Sequence, residues 1–388
     1  MRADKWLAEC TARRRTPFGM TENFLHNLEE LPASGTICLL GERGRNSRLT
    51  NLLRECRPDL PSPFSFDLPT ATALPVCSFP DAVFIPDSLS SYDLILITSG
   101  KYRPLCDRLD DLGIGGYRIL NPNFVHPFLQ PGGATHLPKL AEAREIMHQE
   151  QDRHYYDLVI SAITQKSDLR ALYSALTELY GRMGRQYLDF IVPSAIRTVI
   201  EGGMEEGRNT VQFLGAFPDP VIHAFEPDAG VVAHSYFKPY LEHHPRVRIS
   251  PLALWSGNDR LPFSTGQTGR STLSTGNPPE KPLHPPCTVA ATSIDQYVAT
   301  HGIEKVDFIK MDIEGSETQA LKGATGVIQA HRPQLAVCMY HRLEHYHEIP
   351  LFLAGCVEDY VFRVGHYSAR YFFSETVLYG IPRELHGK

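Results

Sequence analysis

Short apolar runs recur along this chain, most of them closing on a glycine, a proline or a carboxylate and several followed by helix-patterned residues. "TICLLGERGR" leads into the helical "NSRLTNLLREC", and "DAVFIP", "YDLILITSG" and "YRILNP" complete a first series. A second series reads "TVIEGG", "PVIHAFEPD", "RVRISPLALW", "KVDFIKMD", "PQLAVCMY", "YVFRVG" and "ETVLYGIP". Runs this short and this apolar suit strands buried on both faces. Strands that alternate with helices imply open parallel sheets of α/β type. At 388 residues, 42% of them hydrophobic, the chain can build two cores.

The expected organisation is a helical lead over 1–32, with Phe24, Leu25, Leu28 and Leu31 at helical spacing before Pro32. A Rossmann-like domain over 33–130 follows, then a helical linker over 131–195 opened by "QPGGATHLPK", and a second α/β domain over 196–388. The stretch "PFSTGQTGRSTLSTGNPPEKPLHPP" (262–286) reads as a long loop: a lid, a binding loop or a disordered segment.

The net charge of −6 and a sequence pI near 6.3 exclude a general nucleic-acid binder, which needs a basic surface. No apolar run approaches the ~18 residues of a membrane span. Arg13, Arg14 and Arg15 precede no apolar export segment. Eight cysteines are scattered without a CxxC pair, and Cys38 and Cys338 lie inside apolar runs. The expectation is a reduced, cytoplasmic protein.

Two features carry chemistry. In "TVIEGGMEEGRNTVQF" a strand ends at Glu201, and Gly202, Gly203 and Gly207 lead into a helix. Glycines permit a tight turn and close approach of a ligand to the backbone. Glu226 ends the next strand, 23 residues after Gly203, and is followed by Pro227. An acid there suits the ribose hydroxyls of an adenosine ligand; the alternative is a helix-capping box around Asp228. In "FIKMDIEGSE", Asp312 and Glu314 leave an apolar strand directly before Gly315. They are either the active edge of a parallel sheet or acids favoured at a helix N-terminus. If the strand runs that far, its alternation puts both on one side. A metal held by this pair is a further alternative, but no other ligand is evident in the sequence, so none is assigned.

From Thr198 to Pro382 the chain resembles the FkbM-type family of S-adenosylmethionine-dependent methyltransferases. "TVIEGGMEEGRNTVQFL", "IHAFEPD", "ALW", "TSIDQY", "FIKMDIEGSETQALKGA", "RPQLAVCMYHR", "EIPLFL" and "ETVLYGIP" carry the resemblance. It implies a seven-stranded Rossmann-like methyltransferase domain and methyl transfer, usually to oxygen, from S-adenosylmethionine. The cofactor residues are then Glu201, Gly202, Gly203, Gly207, Thr210, Glu226 and Pro227. Asp312 and Glu314 are the catalytic pair, with His341 and Ser271 toward the substrate. The chain departs from the family at Glu201, where Asp is usual, and at Met204 and Glu205, where a small residue and an aromatic are usual.

"HRLEH" (341–345) also matches the inverted zinc-protease pattern, though it follows a strand rather than lying on a helix. His341 is either a substrate-site residue or a polar cap on the sheet edge. "LLGERGRN" resembles the nucleotide-binding-like domains that precede such methyltransferases, but Arg43 replaces the central glycine of a GxGxxG. The next acid, Asp67, sits in a Pro-rich stretch, so a structural or substrate-presenting role is expected. The acceptor is a sugar, glycolipid or other small metabolite, with no nucleic-acid partner. The alternatives are a dinucleotide-dependent oxidoreductase and a degenerate S-adenosylmethionine-binding module.

Overall fold

The computed structural model describes residues 24–25, 27–32, 34–68, 87–99, 102–120, 124, 126–129, 132–164, 185–265, 271–273, 287–368 and 372–386. The chain divides into two compact units. One is Met1–Thr135 with Leu158–Glu178 and Ala369–Phe373; the other is His136–Asp157 with Leu179–Ser368 and Ser374–Lys388.

The first unit contains β1 (Phe24–Leu25), β2 (Ile37–Glu42), β3 (Phe64–Leu68), β4 (Leu94–Ile97) and β5 (Tyr117–Leu120). They form one parallel sheet in the order β1-β5-β4-β2-β3. Cys38, Leu40, Ile95 and Ile97 form its core with Leu105 and Leu109 of the helix Tyr102–Asp111. The expected helical lead fails where it is described: Phe24–Leu25 is a strand and Leu28–Glu30 one 3-10 turn. Leu25, Leu28 and Leu31 are buried, so the apolar spacing reports a core and not a helix face. Residues 1–23 and "DAVFIP" lie outside the described residues. Asp67 stands on β3, paired with Gly41, despite the prolines around it.

The second unit contains β6 (Thr198–Gly202), β7 (Val221–Phe225), β8 (Val247–Ser250), β9 (Ala253–Leu254), β10 (Asp259–Thr265), β11 (Ser271–Leu273), β12 (Cys287–Thr292), β13 (Phe308–Met311), β14 (Gln334–Cys338), β15 (Tyr360–His366) and β16 (Thr376–Pro382). Seven of these make one sheet in the order β15-β16-β14-β13-β6-β7-β8. Only β16 is reversed, inserted antiparallel between β14 and β15. All residues of β13, β14 and β16 are buried, which explains their largely apolar character. Phe213 of the helix Arg208–Ala216 meets Phe308 of β13 edge-on, at 5.6 Å between ring centroids. Burying each such ring contributes about 1.5–3 kcal/mol.

Two expectations need correction. "RVRISPLALW" is not one strand: Pro251, which has no N–H for a ladder, separates β8 from β9, and these join different sheets. The stretch 262–286 is not wholly loop. Its described residues extend β10 and form β11, in a second sheet of order β11-β10-β12-β9. β-Branched threonines and valine in "FST", "STL" and "CTVAAT" supply the strand propensity that the glycines and prolines conceal. No helix among the described residues is long and apolar enough to cross a membrane.

Candidate active site

The site forms where β6, β7 and β13 end side by side in parallel register. Gly203 follows β6 with φ +74°, and its N–H donates to the Phe225 carbonyl at 3.0 Å. A Cβ at this position would lie 1.8 Å from the Asp312 carbonyl oxygen. Only glycine therefore fits, both for its backbone angle and for the approach of two strand ends. Beneath the turn lies Lys310, 1% exposed on β13 and paired across the ladder with Glu201. Its ammonium donates to the carbonyls of Gly202 (3.1 Å) and Gly203 (2.6 Å) and stands 5.1 Å from the centre of the Tyr187 ring. A buried lysine thus pins the glycine turn.

Glu226 follows β7 and is 8% exposed. Its Oε2 accepts from the Glu205 N–H (2.9 Å) and its Oε1 from the Asp228 N–H (3.0 Å). Each oxygen keeps a further acceptor position. Burial pushes its pKa up, against the pull of the two N–H groups. Asp228, for its part, caps the helix Ala229–His234. The capping role and the strand-end acid are therefore separate residues.

The strand β13 stops at Met311, so Asp312 and Glu314 lie on the turn beyond it, with Glu314 at φ +50° and Gly315 at φ +100°. Strand alternation does not arrange them; the left-handed turn does. Nor is either acid the helix cap: the N-cap of Glu317–Lys322 is Ser316. Asp312 accepts hydrogen bonds from the hydroxyls of Tyr187 (2.7 Å) and Tyr340 (3.2 Å). Burial disfavours its charge, but Lys310, His341 and the Tyr187 hydroxyl outweigh that and hold it below the usual carboxylate range.

Behind the pair stands Glu317, wholly buried. It accepts from the Ile313 N–H (2.9 Å) and from His341 Nδ1 (2.8 Å), and His345 Nδ1 lies 3.2 Å from its second oxygen. The other face of the His341 ring looks outward. Its Nε2 lies 3.4 Å from Asp312 Oδ1 and 3.6 Å from Glu314 Oε2. Burial opposes the imidazolium, but the three carboxylates prevail and raise its pKa to about 9. The same two histidines hold the Glu317 carboxyl well below its ordinary range in spite of its burial.

Gly203, Phe225, Glu226, Pro227, Asp312, Ile313, Glu314 and Ser316 line one cleft with Leu252, Ala253, Leu254 and Phe263. Five of the residues singled out in the sequence thus share it: Gly203, Glu226, Pro227, Asp312 and Glu314. Six do not line it: Glu201, Gly202, Gly207, Thr210, His341 and Ser271. Glu201 is fully buried and accepts from the equally buried Thr210 hydroxyl at 2.6 Å. Burial raises the Glu201 pKa to about 7. A Cβ on Gly202 would meet Leu254 at 2.8 Å, and one on Gly207 would meet Leu241 at 2.3 Å, so both serve packing. Ser271 opens β11, pairing with Thr265.

Lys310, Glu317, Tyr187 and Tyr340 escaped the sequence reading. Lys310 was detectable, as a cation inside the four-residue buried run "FIKM". Glu317 looks like any acid in a first helical turn. "HRLEH" is no zinc-protease helix, because the helix His345–Cys356 begins only at its second histidine. Its two histidines nevertheless converge on Glu317.

A seven-stranded sheet with one reversed strand and a glycine turn after its central strand defines a Rossmann-like methyltransferase fold. Within the second unit, residues 210–364 match the family model of the methyltransferase FkbM domain. The crystal structure of methyltransferase FkbM from Methylobacillus flagellatus KT superposes with a TM-score of 0.57 at 18% identity, over 97% of this chain and 98% of that chain. Two more distant structures are a putative rRNA-methylase from Clostridium thermocellum and a putative O-methyltransferase from Klebsiella pneumoniae. The first has 13% identity, 50% and 92% coverage and TM-score 0.31. The second has 11% identity, 73% and 97% coverage and TM-score 0.31. Among curated proteins none matches the chain.

Proposed function

We propose that the second unit transfers a methyl group from S-adenosylmethionine to a hydroxyl of a sugar, glycolipid or other small metabolite. One observation carries the reading: the glycine turn, the strand-end acid Glu226 and the acids Asp312 and Glu314 line a single cleft. The cleft suits the cofactor, since Glu226 keeps acceptor positions for ribose hydroxyls and Leu252, Leu254 and Phe263 offer apolar walls. When bound, S-adenosylmethionine supplies an electrophilic methyl group on a sulfonium centre.

The chain's own residues then have distinct tasks. Glu226 and Pro227 hold the adenosine end, and the Gly203 turn lets the ligand approach the backbone. Asp312 stays ionised through the neutral range, fixed by two tyrosine hydroxyls. It orients the acceptor hydroxyl and takes its proton as the oxygen attacks in line. Glu314, on the more open side, holds a neighbouring hydroxyl. The first unit serves structure or presents substrate. The described cysteines, Cys38, Cys56, Cys106, Cys287, Cys338 and Cys356, are free thiols, which supports a reducing, cytoplasmic setting.

The test is transfer of a labelled methyl group in an acceptor screen. Asp312→Asn is expected to lower transfer by ~10²-fold while leaving S-adenosylmethionine affinity within a few fold. A fully active Asp312→Asn enzyme would remove the acid–base role. Binding of the cofactor without transfer to any acceptor would favour a non-catalytic module.

A further inference from the structure

His341 presents a buried ring nitrogen to two carboxylates. Its side chain is 6% exposed, and Nε2 forms no hydrogen bond. Nδ1 is committed, held by Glu317 at 2.8 Å. The distances from Nε2 to Asp312 Oδ1 and Glu314 Oε2 are 3.4 and 3.6 Å. They are too long for hydrogen bonds of any strength, but close to the ~3–3.5 Å that separates neighbouring ligands about 2.1 Å from one metal ion. Donor atoms of Asp312, Glu317 and His341 all fall within 4.8 Å of one another, and Glu314 reaches this group through His341 Nε2.

We propose that His341 Nε2, Asp312 and Glu314 bind one divalent first-row transition-metal cation, with Glu317 fixing the imidazole from behind. A carboxylate on the far nitrogen of a metal-binding histidine sets its tautomer and orientation and strengthens it as a ligand. Glu317 is built for that part. It is wholly buried, and its Oε1 is shared between His341 and the Ile313 N–H, so it supports the ring and leaves coordination to the outer acids. The charge balance agrees. Asp312, Glu314 and Glu317 converge on one imidazole, with Lys310 the other cation acting on Asp312. One imidazole and two carboxylates form a donor set suited to Mn²⁺ or Zn²⁺ rather than to a soft metal. Asp312 and Glu314 line the cleft, so a cation between them is open to a ligand there. Its role in polarising an acceptor hydroxyl rests on the transfer reading above; the binding itself does not.

The experiment is calorimetric titration of the full chain, stripped with chelator, with Mn²⁺ and then Zn²⁺, without S-adenosylmethionine. One saturable site per chain is expected. His341→Gln and Asp312→Asn should each weaken it tenfold or more, and Glu317→Gln by about tenfold. Circular dichroism establishes that the variants fold, and the electron paramagnetic resonance spectrum of Mn²⁺ reports its immobilisation independently. No saturable binding of either ion at micromolar concentration, or unchanged affinity in folded His341→Gln, overturns the site. Titrating S-adenosylmethionine into the same preparation separates the two readings. Cofactor binding without metal binding defeats this inference alone. Metal binding without cofactor binding defeats the proposed function and leaves the cation site standing.

Discussion

Each unit has a glycine at the end of a central parallel strand, Gly41 within β2 and Gly203 just after β6, and an acid on or just past the neighbouring strand, yet the two are built for different ends. In the first unit the acid is Asp67, and Asn46, on the helix Arg43–Cys56 that follows β2, fills the space beside it. Asn46 is buried and donates to the Gly41 carbonyl (3.2 Å), the Phe66 carbonyl (3.4 Å) and Asp67 Oδ1 (2.9 Å), while the Thr98 hydroxyl donates to its oxygen (2.6 Å). A Cβ on Gly41 would meet that hydroxyl at 2.0 Å. In the second unit the turn is held from below by Lys310 and leaves its upper side to a cleft. The same strand–turn–helix is a closed structural joint in one place and an open site in the other. What decides is whether the strand-end polar groups are satisfied by a side chain of the protein or remain available to a ligand.

The largest expected effect that would break this contrast is Gly203→Ala. The added Cβ meets a backbone carbonyl at 1.8 Å, at a positive φ. It should cost about 3 kcal/mol or more and abolish S-adenosylmethionine binding. Gly41→Ala should destabilise the chain without changing cofactor affinity. Urea denaturation and calorimetry read both outcomes; a Gly203→Ala variant with wild-type affinity would show that the turn is not the site.

Lys310→Met comes next. It leaves two carbonyls without a donor and removes a buried cation from beside Glu201 and Asp312. A loss of about 3 kcal/mol is expected from denaturation curves. A neutral outcome would mean that the turn holds itself.

The pH response should also divide the units. In the metal-free chain, His341 has a folded pKa of about 9 against an ordinary 6.5, because three carboxylates outweigh its burial. Its contribution to stability is fully present below pH 6.5 and is lost as the pH rises through about 9. In the first unit, burial and the nearby Arg48 and Arg45 depress His126 to about 3. That contribution has the opposite sign: present above pH 6.5 and lost as the pH falls below it. Melting temperature against pH should therefore lose its alkaline slope in His341→Gln and its acid slope in His126→Phe. Slopes unchanged by both substitutions would contradict the assignment.

The smallest effect is an expected blank. Asn46 already satisfies Asp67, and Arg43 stands where a pyrophosphate would need glycine, so NAD and NADP should not titrate saturably onto the first unit of the full chain. Micromolar binding abolished by Asp67→Ala would reopen that site.

Much of the architecture was legible because largely buried parallel strands leave short, mostly apolar runs such as "QLAVC" and "VIHAF". The antiparallel sheet around β10 was not, because its strands carry threonine and serine between glycines and prolines, and half or more of the described side chains of β10 and β12 stay partly or fully exposed. Within the site, Gly203, Glu226 and Asp312 stand out in the sequence by their places at strand ends, and the family resemblance chooses among the readings that spacing leaves open. Glu317 does not stand out. Its partners, His341 and His345, come from the segment that follows β14, and only the fold brings that segment beside the end of β13. The family resemblance places Thr210 and Glu201 at the cofactor. The helix instead turns Thr210 inward, where its hydroxyl meets a buried carboxylate.

The central claim is that the open turn and its acid hold S-adenosylmethionine, and calorimetric titration of the wild type against Glu226→Ala tests it most directly. The account predicts one saturable site per chain in the wild type. It predicts an affinity lower by about a hundredfold, or ~3 kcal/mol, in a folded Glu226→Ala variant, from the loss of hydrogen bonds to a charged acceptor. A wild-type chain that takes up no S-adenosylmethionine, or a folded Glu226→Ala variant with unchanged affinity, would contradict it.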